Sequence, residues 1–441
     1  MTQTWNLPTR NNQNKKVAYI NARLIDPLTG LDIKGELLTI GDKIADFGTN
    51  IFGSSIPADA TIIDCKNHIL APGLIDLQVH FREPGQTHKE DIYTGSKSAA
   101  SGGITTVVCQ PNTKPTIDNV DILDLVHYRA QEKSHVNLKV YACISKEMKG
   151  EELTDMGKLI EAGAVGFTDD GLPVMSANLM RRAFEYSSMF NTVIAQHAED
   201  LNLTHGGCMN EGKISFELGL TGMPAIAESV IIARDILLLK EYGGRYHVLH
   251  VSSKDSVEVI RWGKSLGLNI TCEAAPHHFA LTDEAVRTHG TYAKMNPPLK
   301  TEADRLAIIE GLKDGTIDAI ATDHAPHEEA VKNCPMQSAA FGIVGLETML
   351  PISLELYHQK ILTLQQVLAK MTCNAAKIIN SPAGVIAKGA PADLTLIDLE
   401  QDWTIDISKF SSKSKNSPFN GRKVKGRAII TIVGGEIVYS Y

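Results

Sequence analysis

Residues 246–276, "YHVLHVSSKDSVEVIRWGKSLGLNITCEAAP", decide how this chain folds. The stretch opens on a short apolar run and passes into "KDSVEVIRWGKSLG", whose apolar residues recur at helical spacing. It then returns through Gly267 to a second apolar run. Strand, helix and strand within roughly 30 residues make one parallel crossover unit. Both runs are apolar almost throughout, as strands covered on both faces must be.

The same rhythm extends outward in both directions. "LIDLQVHF" (74–81), "ITTVVCQP" (104–111), "LKVYACIS" (138–145), "AVGFTDD" (164–170) and "TVIAQHAE" (192–199) precede the stretch, and "DAIATDHAP" (318–326) follows it. Between them lie helical patterns at 119–133, 176–190 and 228–242. Eight strands interleaved with helices predict a closed (β/α)8 barrel of the TIM type. An open doubly-wound sheet is the competitor, but it rarely uses eight strands in such regular order.

The flanks read differently. "VAYINARLIDPLTG" (17–30) and "GELLTIGDKIADFG" (35–48) suggest short strands joined by turns at Asp26-Pro27 and Gly41-Asp42. "ADLTLIDLEQDWTI" (392–405) and "GRAIITIVGGEIVYSY" (426–441) have the same character. The expected organisation is therefore a disordered lead over 1–16, a barrel over 72–383, and a discontinuous β-sandwich from 17–71 with 384–441.

Composition narrows the class. Of 441 residues, 43% are hydrophobic and 21% charged, which suits a soluble globular protein with a large core. A net charge of −8 gives no basic surface for nucleic acid. The polar start "MTQTWNLPTRNNQNKK" lacks the apolar region of a signal peptide, and no apolar run approaches the ~20 residues of a membrane span. Seven scattered cysteines without a C-x-x-C pair fit free thiols in a reducing cytoplasm.

In barrel enzymes the working residues gather at the C-terminal ends of the strands. Here those ends carry His80 and Arg82 (strand one), Asp169 and Asp170 (four), His197 (five), His250 (six), His277 and His278 (seven), and Asp323, His324 and His327 (eight). A single histidine is most often scaffold, but histidines and carboxylates at one end of six strands point to a metal centre. Zinc takes this nitrogen and oxygen donor set. Alternation along strand one places Asp76, Gln78 and His80 on one side.

The segments "DLQVHFREPG" (76–85), "QPNT" (110–113), "FTDDG" (167–171), "QHAED" (196–200), "NPPLK" (296–300) and "ATDHAPH" (321–327) resemble the dihydroorotases of the amidohydrolase superfamily. The resemblance runs from about residue 17 to the C-terminus. Hydantoinases and allantoinases share the H-x-H position and the late aspartate, but usually carry a carboxylated lysine where "FTDDG" has aspartate. The resemblance implies an enzyme interconverting (S)-dihydroorotate and N-carbamoyl-L-aspartate in pyrimidine synthesis. It places metal ligands on His80, Asp170, His197, His250 and Asp323, with Asp169 the alternative to Asp170. Asp323 would also serve as general base. Arg82, Asn112 and His327 fall where the family holds the substrate carboxylate; Asn296 and the backbone of Phe341 and Gly342 fall where it contacts the ring.

One position departs from the pattern. Gln78 stands where the family has the first histidine of H-x-H, and a carboxamide oxygen is a poor zinc donor. One Zn²⁺ firmly bound, with a second weak or absent, is the expectation. Two other readings stay in view: a catalytically silent partner of aspartate transcarbamoylase, which Gln78 supports, and a hydrolase of another cyclic amide such as a hydantoin, against which Asp170 in place of lysine and Arg82 both speak. A cytoplasmic homo-oligomer acting on a small anionic substrate completes the expectations.

Overall fold

The computed structural model describes residues 14–441. The expected lead lies outside the described residues as far as residue 13, and the first strand starts at Lys16. The eight predicted barrel strands are all present. They are Leu74–Val79, Ile104–Cys109, Asn137–Ala142, Gly166–Phe167, Val193–Gln196, Tyr246–Val248, Ile270–Ala274 and Ala319–Ile320, here strands one to eight. Each pairs in parallel with the next, and a parallel bridge from Val79 to His324 joins strand one to the end of strand eight. The barrel closes, and the open-sheet competitor is excluded.

The four helices read from the sequence form over Val120–Lys133, Ala177–Ser188, Ile226–Tyr242 and Lys254–Ser265. Side chains of Asn119, Ser176 and Ser253 cap three of them by accepting a backbone N–H of the first turn. Further crossover helices, such as Ile92–Ser101 and Glu302–Asp314, complete the outer layer.

Two apolar layers hold the barrel. Ile75, Leu77, Val108, Tyr141, Val193, Ala195, Leu249, Ala319 and Ala321 fill its interior, and Ala375, Ala376 and Ile378 of the helix Cys373–Ile378 pack onto them. Residues of opposite parity, such as Val140, Ile194, Val248 and Ile320, face the helices.

Strand one breaks this alternation. Its register with strand two slips between Asp76 and Val79, so Leu77 is interior while Val79 and Phe81 face outward. The expected common side for Asp76, Gln78 and His80 is therefore corrected. Asp76 accepts from the Thr322 backbone at 2.9 Å and its hydroxyl at 2.5 Å, tying strand one to strand eight. Only Gln78 and His80 reach the centre.

The flanking segments pair with each other in one mixed eight-stranded sheet. Ile69–Pro72 runs antiparallel to Leu394–Thr404, which joins the N-terminal strands to the C-terminal ones. Within the described residues no helix is long and apolar enough to cross a membrane, and all seven cysteines are free.

Candidate metal centre and anion site

The ends of strands one, four, five, six and eight bring five buried side chains together. Asp170 lies at the middle. Its Oδ1 is 3.3 Å from His197 Nδ1 and 3.5 Å from His250 Nε2, and these two nitrogens stand 2.9 Å apart. Its Oδ2 is 3.5 Å from His80 Nε2, which is 3.1 Å from Asp323 Oδ1. Asp170, His197 and His250 make one group whose donor atoms lie within 4.8 Å of one another; His80, Asp170 and Asp323 make a second. His250 and Asp323 reach these positions with φ of 33° and 49°, in the left-handed region that non-glycine residues rarely adopt.

The surroundings favour a cation here. His197 Nε2 faces Glu199 Oε2 at 2.8 Å, which leaves Nδ1 to face Asp170. Burial alone would discharge the ring, yet Asp170 and Glu199 raise its pKa to about 10. Burial likewise opposes ionisation of Asp170, but His197 and His250 hold it well below the usual carboxylate range. Converging imidazole nitrogens and carboxylate oxygens form the donor set that a divalent metal takes.

Asp169 is otherwise engaged. Its carboxylate accepts from the backbone of Ile144 and Ser145 at 2.8 and 3.0 Å, and from the Ser145 hydroxyl. Asp170 alone of the pair joins both groups. His278 binds the Pro297 carbonyl at 3.0 Å, and His324 accepts from the Gly345 N–H at 3.2 Å. Both are scaffold, and His277 joins neither group.

Gln78 enters the centre as a donor. Its Nε2 donates to Asp170 Oδ2 at 3.0 Å, while its Oε1 is buried without a partner.

Beside the metal-binding groups stand Arg82, Asn112 and His327, the candidates for holding an anion. Arg82 is buried, and burial pulls its pKa down to about 10 although Asp323, Asp170 and Glu90 oppose this. One Nη meets His327 Nε2 at 3.4 Å, and the Nε is buried with no partner. His327 is driven to about 2, by burial first and then by Arg82, so it stands there neutral. Asn112 offers its Oδ1 to His80 Nδ1 at 2.9 Å, which turns its amide nitrogen into a remaining donor.

Asn296 donates to Glu199 at 2.9 Å, so Glu199 links a ring-contact candidate to His197. Gly342 is already engaged. Its N–H goes to the Lys294 carbonyl, and its carbonyl accepts from Asn416 and Lys332. Only glycine fits there, since a Cβ would meet the Ala325 carbonyl oxygen at 2.5 Å. Sequence reading missed Glu199, Lys332 and Asn416. Glu199 sits inside the quoted "QHAED", two residues past His197, and was open to notice. The other two act through partners distant in sequence and left no local signal.

Residues 67–256 match a family model described as dihydro-orotase-like. The dihydroorotase of Wolbachia sp. subsp. Brugia malayi (strain TRS) is 60% identical over 444 residues, covering all of both chains. That of Ehrlichia chaffeensis (strain Arkansas) is 60% identical across 96% of this chain and 95% of its own. Among solved structures, an L-hydantoinase (dihydropyrimidinase) from Arthrobacter aurescens superposes with a TM-score of 0.86 at 28% identity, covering 96% of each chain. A D-hydantoinase from Bacillus sp. AR9 gives 0.84 at 21% identity over 96% of this chain and 95% of that one, a likeness of fold alone.

Proposed function

The chain belongs to the dihydroorotase family, and on that premise we propose that it interconverts (S)-dihydroorotate and N-carbamoyl-L-aspartate, the cyclic-amide step of pyrimidine synthesis. The observation that carries this reading is the buried Arg82, whose Nε has no partner inside the protein. A buried guanidinium donor left open costs stability unless a ligand completes it. A carboxylate beside a cyclic amide does so, and an unsubstituted hydantoin has none to offer.

In this proposal His80, Asp170, His197, His250 and Asp323 hold divalent metal, taken to be zinc. Metal so held supplies Lewis-acid activation of water and of the scissile carbonyl. Arg82, His327 and the Asn112 amide orient the substrate carboxylate, while Asn296, Phe341 and Gly342 bound the ring. Asp323 takes the proton of the attacking water and returns it to the departing ring nitrogen, so the proton balance closes within one turnover. Glu199 fixes the tautomer of His197. We assign firm metal affinity to Asp170, His197 and His250. The group with His80 and Asp323 is weaker, because Gln78 brings an N–H where the family pattern has a histidine nitrogen.

The same reading divides the chain into a lead at 1–16, a β domain from 17–71 with 384–441, and a catalytic barrel over 72–383. It sets the enzyme in the cytoplasm as a homo-oligomer. A silent partner of aspartate transcarbamoylase would have no use for an open, buried Arg82.

Arg82→Met tests the carboxylate role. It should weaken dihydroorotate binding by about 1.5–3 kcal/mol, the worth of a charge-assisted hydrogen bond. An unchanged KM, or faster turnover of hydantoin than of dihydroorotate, would contradict it.

A further inference from the structure

Lys332 is fully buried, and no carboxylate pairs with it among the described residues. It ends the short helix Glu329–Lys332. Its Nζ donates to three backbone carbonyls instead: Ala340 at 2.9 Å, Gly342 at 3.0 Å and Lys294 at 3.3 Å. Two of these carbonyls flank Phe341, and the third lies two residues before Asn296. The Gly342 N–H returns to the Lys294 carbonyl at 3.0 Å, so the two segments are stitched on both sides of the ammonium. Lys294 adds a second cation to the same loop. It donates to the carbonyls of Met336 and Gln337, and lies 4.3 Å from the centre of the Phe341 ring.

A buried ammonium without a counter-ion is costly, and three well-placed carbonyls are what make it tolerable. The arrangement uses all three N–H donors and leaves none to meet a ligand. What the charge accomplishes is therefore the shape of the loop.

We propose that Lys332 is the positioning residue of the loop that bounds the substrate ring: it holds Phe341 and Gly342 against the Asn296 segment and so sets affinity for the cyclic amide without touching it. This rests on the assignment of Asn296, Phe341 and Gly342 as ring contacts. The proton count of the amine then matters, since a neutral amine has two N–H groups for three carbonyls. Burial lowers the Lys332 pKa to about 7, with Lys294 pushing the same way and Cys334 opposing. His327, the other titratable group whose charge is felt there, is uncharged.

The test is steady-state kinetics of the full-length, zinc-loaded protein with dihydroorotate, comparing wild type and Lys332→Met. The KM should rise by about tenfold or more, with kcat at saturation within about threefold and zinc content unchanged. A variant KM within about twofold of wild type would overturn the proposal. The wild type gives a second arm that stands even if the variant fails to fold. Its KM should rise between pH 6 and 9 as Lys332 loses its third donor, and a KM flat over that range would overturn the proposal. Lys332→Met, where folded, should flatten the rise. Absence of wild-type turnover would overturn this inference together with the functional reading. A turning-over enzyme whose KM ignores Lys332 and pH would overturn this inference alone.

Discussion

Asp323 shares a group with His80 and Asp170, its Oδ1 3.1 Å from the His80 ring, and no other carboxylate of the metal-binding groups is assigned to move a proton. Replacing Asp323 by Asn should cut kcat by roughly a hundredfold or more, since an amide cannot accept the proton of the attacking water. Circular dichroism and thermal unfolding should show the fold retained, and activity within tenfold of wild type would contradict the role. Gln78 raises the opposite question, of a residue that fits the place poorly. Its carboxamide N–H is spent on Asp170 Oδ2, an oxygen of the His80 group, and its carbonyl oxygen is left over. Gln78→His should bind zinc more tightly and raise the stoichiometry found by elemental analysis after dialysis at low zinc. Unchanged stoichiometry and affinity would show that this position does not limit the second metal. The residues of the two metal-binding groups were among the strand-end candidates, because barrel chemistry gathers there, and the family resemblance singled them out. The reading failed at Asp76, where a slip in register reverses the expected side. Period-two alternation does not reveal such an irregularity.

The segment 411–417 crosses from the C-terminal strands to the catalytic end of the barrel. The N–H groups of Ser411 and Lys413 donate to the carboxylates of Glu347 and Glu90 respectively, and the Ser414 hydroxyl donates to the Lys89 carbonyl at 2.7 Å. Asn416 closes the crossing. It donates to the carbonyls of Ala325 and Gly342 at 2.9 and 3.0 Å, and accepts from the His327 N–H at 3.1 Å. One buried side chain thus ties the Ala325–His327 segment to the segment at Gly342. Asn416→Ala strips all three partners and should cost about 1–3 kcal/mol of stability for the groups left unsatisfied. Thermal unfolding should record that loss, and KM for dihydroorotate should rise with it. A variant with unchanged melting temperature and KM would show that the crossing is incidental. This element was unreadable in advance. "SSKSKNS" is polar and short of apolar periodicity, so it resembles any surface loop until its partners 64 to 325 residues away are known.

At the scale of the molecule, the alternation of apolar runs and amphipathic stretches was enough for the barrel, because each strand had to be buried on both faces. Helices escaped the reading where the pattern weakened. "IYTGSKSAAS" packs small residues close to the strands, and "MLPISLELYH" is apolar around most of its circumference with a proline inside. The pairing of the two chain ends was anticipated from their similar character, while the single mixed sheet they form depends on Ile69–Pro72 meeting Leu394–Thr404. In the proposed reaction two features of this scaffold act together, the metal-binding groups around Asp170 and the open guanidinium at Arg82. The most direct measurement is the rate of dihydroorotate ring opening by the purified chain, first stripped with a chelator and then titrated with zinc. Turnover should vanish on stripping, return with zinc, and exceed that of hydantoin at equal concentration. No turnover above background at saturating zinc, or a preference for hydantoin, would contradict the account.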